Sequence, residues 1–247
     1  MGGNCYISLS SSRLGSGSSA CRGPRLAAFF YPEVILAKKR VACFIDGFNV
    51  YHSIDDLKKP WLKWVDLKKL CSNFIDPNQH EIVVVYYFSA YATWKPAAYS
   101  RHQQYVNALK TIGVVPVMGH FKAKDKYCLK CNARWTGHEE KESDVNIAIH
   151  MLNEAWKDGY DIAFLISGDS DLASAVKMLT QSFPEKQVKI IAPVNRYHCK
   201  ELAAFSKKPA KILELHLQRS LLPETVIDSN GHVVANRPPE YAPPAGP

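Results

Sequence analysis

Short apolar runs alternate with segments of helical periodicity along the middle of the chain. Each run is short enough for a strand and is bounded by turn residues, the pattern of strands buried on both faces of a sheet. The runs lie at residues 41–45, 82–88, 114–118, 162–166 and 188–192. Strands that alternate with helices predict an α/β fold built on a parallel sheet.

Helical periodicity fills most of the intervals between these runs. Helices are predicted at residues 66–74, 95–112, 143–157, 172–182 and 198–206, and residues 212–217 fit either a strand or a helix. Ser143 is the expected N-cap of the helix that it begins. That helix carries two apolar stripes, one through Val145, Ile149 and Trp156 and one through Ile147 and Met151, so we expect it to be packed deeply.

The two ends of the chain differ in composition from the middle. Residues 1–40 begin rich in Ser and Gly without periodicity, which predicts a flexible leader. Residues 221–247 are rich in proline and poor in apolar periodicity, which predicts a disordered tail. A single domain is therefore expected at residues 41–220.

Composition narrows the class of protein. The chain has 247 residues, and no apolar run reaches the length of a membrane span, so no membrane association is expected. Of seven cysteines only Cys128 and Cys131 lie close together, which indicates reduced thiols and a cytoplasmic protein. A net charge of +8 favours a polyanionic partner such as nucleic acid. Assembly into a homo-oligomer is left open.

Acidic residues follow two of the apolar runs. Asp46 ends the first run, while Asp169 and Asp171 follow the run at 162–166. Because neighbouring parallel strands end at the same edge of a sheet, these carboxylates are expected to meet there. Asp144, in the first turn of its helix, and Glu140, one turn earlier, are placed to join them.

Each of these residues taken alone is also consistent with a helix cap or a turn. Carboxylates held together repel each other and raise one another's pKa unless a cation joins them. Hard oxygen ligands suit Mg²⁺ or Mn²⁺. Such a cluster supports metal-assisted hydrolysis of phosphodiester bonds.

The segments that carry these residues resemble the NYN domain of the LabA-like family, a branch of the PIN-like nucleases. The segments are Phe-Ile-Asp-Gly-Phe-Asn at 44–49, Glu-Lys-Glu-Ser-Asp-Val at 140–145 and Leu-Ile-Ser-Gly-Asp-Ser-Asp at 165–171. The likeness runs from about residue 41 to about residue 205. It implies a Rossmann-like, PIN-like sheet with helices on both faces and a metal-dependent ribonuclease site.

The resemblance also implies roles for individual residues. The metal-binding and catalytic acids would be Asp46, Asp144, Asp169 and Asp171. Supporting residues would be Asn49, Glu140 and Ser167.

Residues 119–142 interrupt the α/β rhythm and contain a cysteine pair. Cys128 and Cys131 have the spacing of a zinc-knuckle half-site, which needs two further ligands. His138 is the best third ligand in the sequence, and His120 is a weaker fourth. Two ordinary loop cysteines are the alternative interpretation.

The same insertion is strongly basic. Its cations are Lys122, Lys124, Lys126, Lys130 and Arg134, and the aromatic residues Phe121, Tyr127 and Trp135 lie among them. Cations with aromatic rings suit the backbone and the unstacked bases of RNA, although a solvated charged loop has the same composition.

Two hypotheses about function remain. The first is a metal-dependent endoribonuclease, and the second is a non-catalytic RNA-binding or regulatory protein that retains the fold. A phosphatase using an Asp-x-Asp pair fits poorly, because that pair would directly follow the first strand, where this chain has Asp46, Gly47 and Phe48.

Overall fold

A computed structural model describes residues 37–244 of the chain. The strands are β1 (Lys39–Asp46), β2 (His80–Ala90), β3 (Val115–Tyr127), β4 (Arg134–Lys141), β5 (Ile162–Ile166), β6 (Gln187–Ala192), β7 (Ala210–Lys211), β8 (Thr225–Ile227) and β9 (Val233–Asn236). The helices are α1 (Gly47–Asp55), α2 (Leu67–Ser72), α3 (Pro96–Thr111), α4 (Ser143–Trp156), α5 (Ala173–Ser182), α6 (Lys200–Ala203) and α7 (Glu214–Arg219). Short 3-10 helices lie at Pro60–Lys63, Ser170–Leu172 and Pro239–Tyr241.

A seven-stranded sheet has the order β4-β3-β2-β1-β5-β6-β7. Neighbouring strands are parallel except β3 and β4, which are antiparallel. From β1 the chain builds outward through β2 and β3, and it later returns to β5 on the other side of β1. The order therefore reverses between β1 and β5, at the kind of switch point where open α/β sheets bind ligands. The predicted α/β fold is confirmed.

Strand β1 is buried on both faces because helices cover both sides of the sheet. Cys43 and Ile45 point to the side covered by α1, α2 and α3. Ala42 and Phe44 point to the side covered by α4 and α5. Successive side chains of a strand alternate between faces, so a run that is wholly apolar requires cover on both.

The basic insertion is a long antiparallel hairpin. Residues 115–119 of β3 pair with β2, and residues 120–127 leave that neighbour and pair with β4. Most side chains of this outer part are exposed on both faces. The sequence of this part therefore lacks the alternation of apolar and polar residues that would have predicted strands.

Helix α4 is buried along one stripe only, and the expectation of deep packing on both stripes is wrong. Ile147 and Met151 are fully buried against the sheet, whereas Ile149 is 55% exposed and Trp156 is 80% exposed. The reason is that α4 covers one face of the sheet from outside, so its far side has no neighbouring layer among the described residues.

The prediction of a disordered tail is wrong for residues 221–244. Strands β8 and β9 form a hairpin that packs against α3, and Val226 and Ala235 are buried there. Glu240 accepts a hydrogen bond at 2.8 Å from Arg101 of α3. These contacts are made to distant parts of the chain, and local periodicity does not report them.

The predicted leader lies mostly outside the described residues, and β1 already begins at Lys39. Among residues 37–244, no helix has the length and apolar character needed to cross a membrane.

Replacing Val226 with alanine tests whether the tail is folded. Val226→Ala removes apolar contacts from a buried side chain, so the free energy of unfolding should fall by about 2 kcal/mol. The matched control is Ile227→Ala, because Ile227 is 56% exposed on the same strand. Urea unfolding of both variants measures the difference, and equal stability of the two would contradict the structured tail.

Candidate functional site

Asp46 ends β1 and begins the turn into α1. Its carboxylate accepts hydrogen bonds from the backbone N–H of Asn49 at 3.0 Å, from the Asn49 side-chain amide at 2.5 Å and from Ser167 Oγ at 2.8 Å. Burial raises the pKa of Asp46, and the bonds from Asn49 and Ser167 act in the opposite direction. The side chain therefore connects the turn after β1 to the turn after β5.

Gly47 makes this turn possible by leaving space. A Cβ atom at this position would lie 2.5 Å from the carbonyl oxygen of Phe88 and 2.6 Å from the ring of Tyr87, both on β2. Carbon and oxygen atoms do not approach so closely. Any side chain at Gly47 would push α1 away from the end of the neighbouring strand.

The turn after β5 is held by the same network. Asn49 Oδ1 accepts a hydrogen bond from the backbone N–H of Gly168 at 3.3 Å, and Ser167 Oγ accepts one from the backbone N–H of Asp169 at 3.1 Å. Asp169 Oδ1 in turn accepts from the backbone N–H of Asp171 at 3.0 Å. These bonds fix the two aspartates relative to β1.

The third part of the site is the start of α4. Glu142 has a φ of 82°, a left-handed conformation that is strained for a residue with a side chain. Helix α4 begins at Ser143, so Glu142 takes the N-cap position predicted for Ser143. Glu140 accepts hydrogen bonds from the Ser143 backbone N–H at 3.1 Å and from Ser143 Oγ at 2.6 Å. This turn carries the chain from β4 into α4 and places Asp144 in the first helical turn.

Three of the aspartates form a cluster. Asp144, Asp169 and Asp171 each offer an oxygen within 4.8 Å of the others. Asp144 and Asp169 are partly buried, and Asp171 is exposed. Burial, then repulsion from Asp169 and Asp46, raises the pKa of Asp144 to about 6.

A divalent cation fits this set of donors. Carboxylate oxygens are the ligands that Mg²⁺ and Mn²⁺ take, and a cation would relieve the repulsion that raises the pKa of Asp144. Within residues 37–244, no other group of three or more metal-binding side chains meets the same distance criterion.

The four predicted aspartates lie at the carboxyl edge of the sheet, whereas the cysteine pair and the basic residues lie along the hairpin. Asp46 lies outside the group of three, and its two oxygens are engaged by Asn49 and Ser167. Its charge nevertheless acts on Asp144. In the structure Asp46 is therefore bonded to the turns around the cluster and is not one of its three members.

The cysteine pair lies at the tip of the hairpin. The backbone N–H of Cys128 donates to Ala133, the N–H of Asn132 donates to Cys128, and Asn132 has a left-handed φ of 55°. Hydrogen bonds from Cys131 and from the backbone N–H of Lys130 lower the pKa of the Cys128 thiol. A tight turn whose N–H groups point at the first cysteine resembles half of a zinc knuckle.

The choice of His138 as a third ligand is wrong. His138 pairs with Ala123 across the hairpin, roughly 14 Å along β4 from Arg134 at the tip. Its ring stacks on Trp94 with centroids 3.6 Å apart. His120 lies farther still from the tip, opposite Lys141, so neither histidine reaches the cysteines.

Cations lie on both faces of the hairpin, and so do aromatic rings. Trp135 pairs with Lys126 and shares the face of the β3 lysines, whereas Arg134 pairs with Tyr127 on the face of Phe121. Lys122, Lys124 and Lys126 alternate along one face of β3, and the carboxylate of Glu139 lies 3.4 Å from Lys124 and 3.8 Å from Lys126. Phe121 is on the opposite face, in contact with the ring of Phe48. Lys130 is at the tip, and Arg134 lies over the ring of Tyr127 at 5.8 Å.

Sequence reasoning missed Trp94 and the strained Glu142. Trp94 lies between β2 and α3, in a stretch without periodicity, and its contacts to the hairpin join residues far apart in the sequence. The conformation of Glu142 has no signal in the sequence, because glycine or asparagine is the usual mark of a left-handed residue.

The switch-point sheet with clustered acids at its carboxyl edge defines a PIN-like α/β domain. Residues 40–206 match the NYN domain family, so the chain belongs to the NYN domain family of the PIN-like nuclease superfamily. The solved structure of a protein of unknown function from Vibrio parahaemolyticus is similar, with 19% identity and a TM-score of 0.52 over 75% of this chain and 97% of that one. This likeness shows the fold. No curated protein sequence matches the chain.

Removing the charge of Asp144 should stabilise the metal-free protein at neutral pH. Asp144→Asn relieves a carboxylate whose folded pKa is raised, and the partly exposed site reduces the gain to about 1 kcal/mol, or about 2–4 °C in Tm. The raised pKa means that the protonated carboxyl of Asp144 stabilises the folded protein. This stabilisation is fully present below the unfolded pKa and is lost as pH rises through about 6. The stability advantage of Asp144→Asn over the parent should therefore vanish near pH 4.

Thermal melts from pH 4 to 8 measure this effect, with exposed Glu185→Gln as the control. Mn²⁺ should raise the Tm of the parent protein more than that of Asp144→Asn. If Asp144→Asn is less stable than the parent at pH 8 without metal, repulsion between Asp144 and its acidic neighbours does not destabilise the protein.

Proposed function

We propose that the protein is a metal-dependent endoribonuclease of the LabA-like branch of its family, hydrolysing phosphodiester bonds of RNA. The observation that carries the proposal is the cluster of Asp144, Asp169 and Asp171 at the switch point of the sheet. A protein that only bound RNA would gain nothing from acids that repel each other beside a phosphate site.

The roles follow from the positions of the side chains. Asp144, Asp169 and Asp171 would hold Mg²⁺ or Mn²⁺, which when bound supplies an activated water and offsets charge on the phosphate. Asn49 and Ser167 keep the turn after β5 in register with Asp46. Glu140 fixes the first turn of α4 through Ser143 and so orients Asp144.

RNA is the substrate that the surface supports best. The chain carries a net charge of +8, and the hairpin that leads into Asp144 presents both cations and aromatic rings on each of its faces. Lysines neutralise phosphates, and aromatic rings stack with unpaired bases. The five cysteines among the described residues are free thiols, which supports the expected cytoplasmic location.

The hairpin also supports the alternative of an RNA-binding protein without turnover, because its cations would bind phosphates whether or not the carboxylates act. Cleavage and binding must therefore be measured separately.

Cys128 and Cys131 are proposed as half of a structural zinc site. The knuckle-like turn and the lowered pKa of Cys128 suit a thiolate ligand. Two further ligands must come from outside the hairpin, either from another part of the chain or from the same cysteine pair of a second copy.

Asp169→Asn should separate catalysis from binding. Loss of one carboxylate ligand should reduce cleavage of a labelled single-stranded RNA with Mn²⁺ by about a hundredfold or more. RNA affinity should stay the same or rise slightly, because a negative charge near the phosphates is gone. An Asp169→Asn protein that cuts as well as the parent would assign the activity to a contaminant or another site. If the parent binds RNA but does not cleave it, the hypothesis of a non-catalytic RNA-binding protein would be favoured.

The hairpin lysines should affect binding more than chemistry. Changing Lys122, Lys124, Lys126 and Lys130 to alanine should weaken binding to every RNA sequence and reduce the slope of log K against log salt by up to about three. The matched control removes the same charge elsewhere, at Lys177, Lys200, Lys207 and Lys208. Equal losses in both sets, measured by fluorescence anisotropy, would mean that only net charge matters.

Zinc content and mass together test the cysteine pair. If two copies share a site, purified protein should contain about half an equivalent of zinc and should be dimeric, and Cys128→Ser should lose both properties. One equivalent in a monomer would place the remaining ligands in the same chain. Absence of zinc from unchelated, reduced protein would leave two ordinary turn cysteines.

A further inference from the structure

A cavity of about 560 Å³ is lined by residues that adjoin the acidic site in the chain. Gly47 and Phe48, which follow Asp46, form part of its wall, as does Glu140. Helices α1 and α3, the inner part of the hairpin and Tyr241 of the C-terminal segment complete it. The volume is in the range of sites that bind small organic groups.

Aromatic rings form much of the wall. Tyr51, Tyr87, Trp94, Phe121 and Tyr241 all line the cavity. Trp94 is held on one side by the stacked ring of His138 and on another by the edge of Phe121, whose centroid is 4.7 Å away. Rings fixed in this way offer flat apolar surfaces without the entropic cost of ordering them on binding.

The interior also carries a neutral polar pair. Tyr87 Oη and His102 Nε2 lie 3.2 Å apart, and both residues line the cavity. Burial lowers the pKa of His102 to about 4, so the ring is uncharged at neutral pH. A neutral imidazole beside a phenol provides a hydrogen-bond donor and an acceptor, which suit an uncharged polar edge better than a phosphate.

Cationic side chains complete the lining. Lys63 Nζ lies 3.1 Å from Tyr51 Oη and 4.2 Å from the centre of its ring, and Lys95 and Arg101 also contribute. Arg101 is bonded to Glu240, so the same contact that anchors the C-terminal segment keeps Tyr241 in the wall. Lys63 is also paired with Asp55 at 2.5 Å. The cavity thus combines aromatic rings, neutral polar atoms and cations, of which Lys63 and Arg101 each have a carboxylate partner.

We propose that this cavity binds one unstacked nucleobase of an RNA strand whose backbone continues to the carboxylate cluster. The base would lie among the aromatic rings, its polar edge would meet Tyr87 and His102, and the neighbouring phosphates would meet the cations. The inference rests on the proposed function, since it takes the strand at the acidic edge to be RNA. It adds a base-binding pocket that contributes to the choice of substrate.

Filling the cavity tests the proposal without removing any existing contact. Ala98 lines the cavity on α3, whereas its neighbour Ala97 is exposed and does not line it. Ala98→Phe and the control Ala97→Phe are each combined with Asp169→Asn, which prevents cleavage during binding measurements. Tyr51→Ala is a second variant, and we expect it to fold because Tyr51 is 42% exposed.

The probe is a short fluorescein-labelled single-stranded RNA in which each nucleotide in turn is replaced by an abasic ribose. With Ala97→Phe, one abasic position should weaken binding about tenfold, the value of one stacked base. With Ala98→Phe, affinity for the intact RNA should already be about tenfold lower, and that abasic position should cost nothing further. Tyr51→Ala should give a smaller loss at the same position.

The proposal would be overturned if the Ala98→Phe and Ala97→Phe variants bound intact RNA equally well and responded equally to each abasic position. It would also be overturned if no abasic position weakened binding. Displacement of the RNA by free AMP, GMP, CMP or UMP at lower concentration than by unlabelled RNA would also overturn it, by making a free nucleotide the ligand. Cleavage is assayed separately on proteins with Asp169 intact. A parent that never cuts RNA but shows the sensitive position refutes the nuclease and retains the pocket.

Discussion

The site depends on one buried carboxylate and the three hydrogen bonds that it accepts. Asp46 is almost fully buried at the end of the central strand, and an unpaired charge there would cost several kcal/mol. Asn49 and Ser167 provide the bonds, and each of them also bonds to the turn that carries Asp169. Ends of two adjacent strands are thereby locked together by side chains. The acidic cluster can be preorganised because this connection exists.

Repulsion between the carboxylates of the cluster would favour the binding of a cation. Asp144 is placed by a strained turn at Glu142 and has a raised pKa, so the site combines conformational strain with electrostatic repulsion. A cation joining the carboxylates would relieve the electrostatic part. Stability without metal and readiness to bind metal are therefore opposed in this site, as is usual where charged side chains are held close for function.

Periodicity in the sequence was sufficient for the layered core, because a strand such as 41–45 can be wholly apolar only with cover on both faces. Parallel pairing then predicted that Asp46 and Asp169 would approach one another. It could not assign Asp46 a position outside the cluster, which depends on side-chain bonds to Asn49 and Ser167. The sequence also could not predict the register of the exposed hairpin, and for that reason His138 was wrongly chosen as a zinc ligand beside the cysteines.

The family match covers the acidic cluster but not every residue that lines the neighbouring cavity. The NYN match ends at residue 206, and the acidic cluster lies wholly within it. Tyr241 and Glu240 lie beyond it, yet Tyr241 lines the cavity and Glu240 ties that wall to Arg101. The carboxylates therefore belong to the part that the family shares, whereas one wall of the neighbouring cavity is built from a segment outside it. A change in that segment would alter the shape of the cavity while leaving the bonds around Asp46 in place.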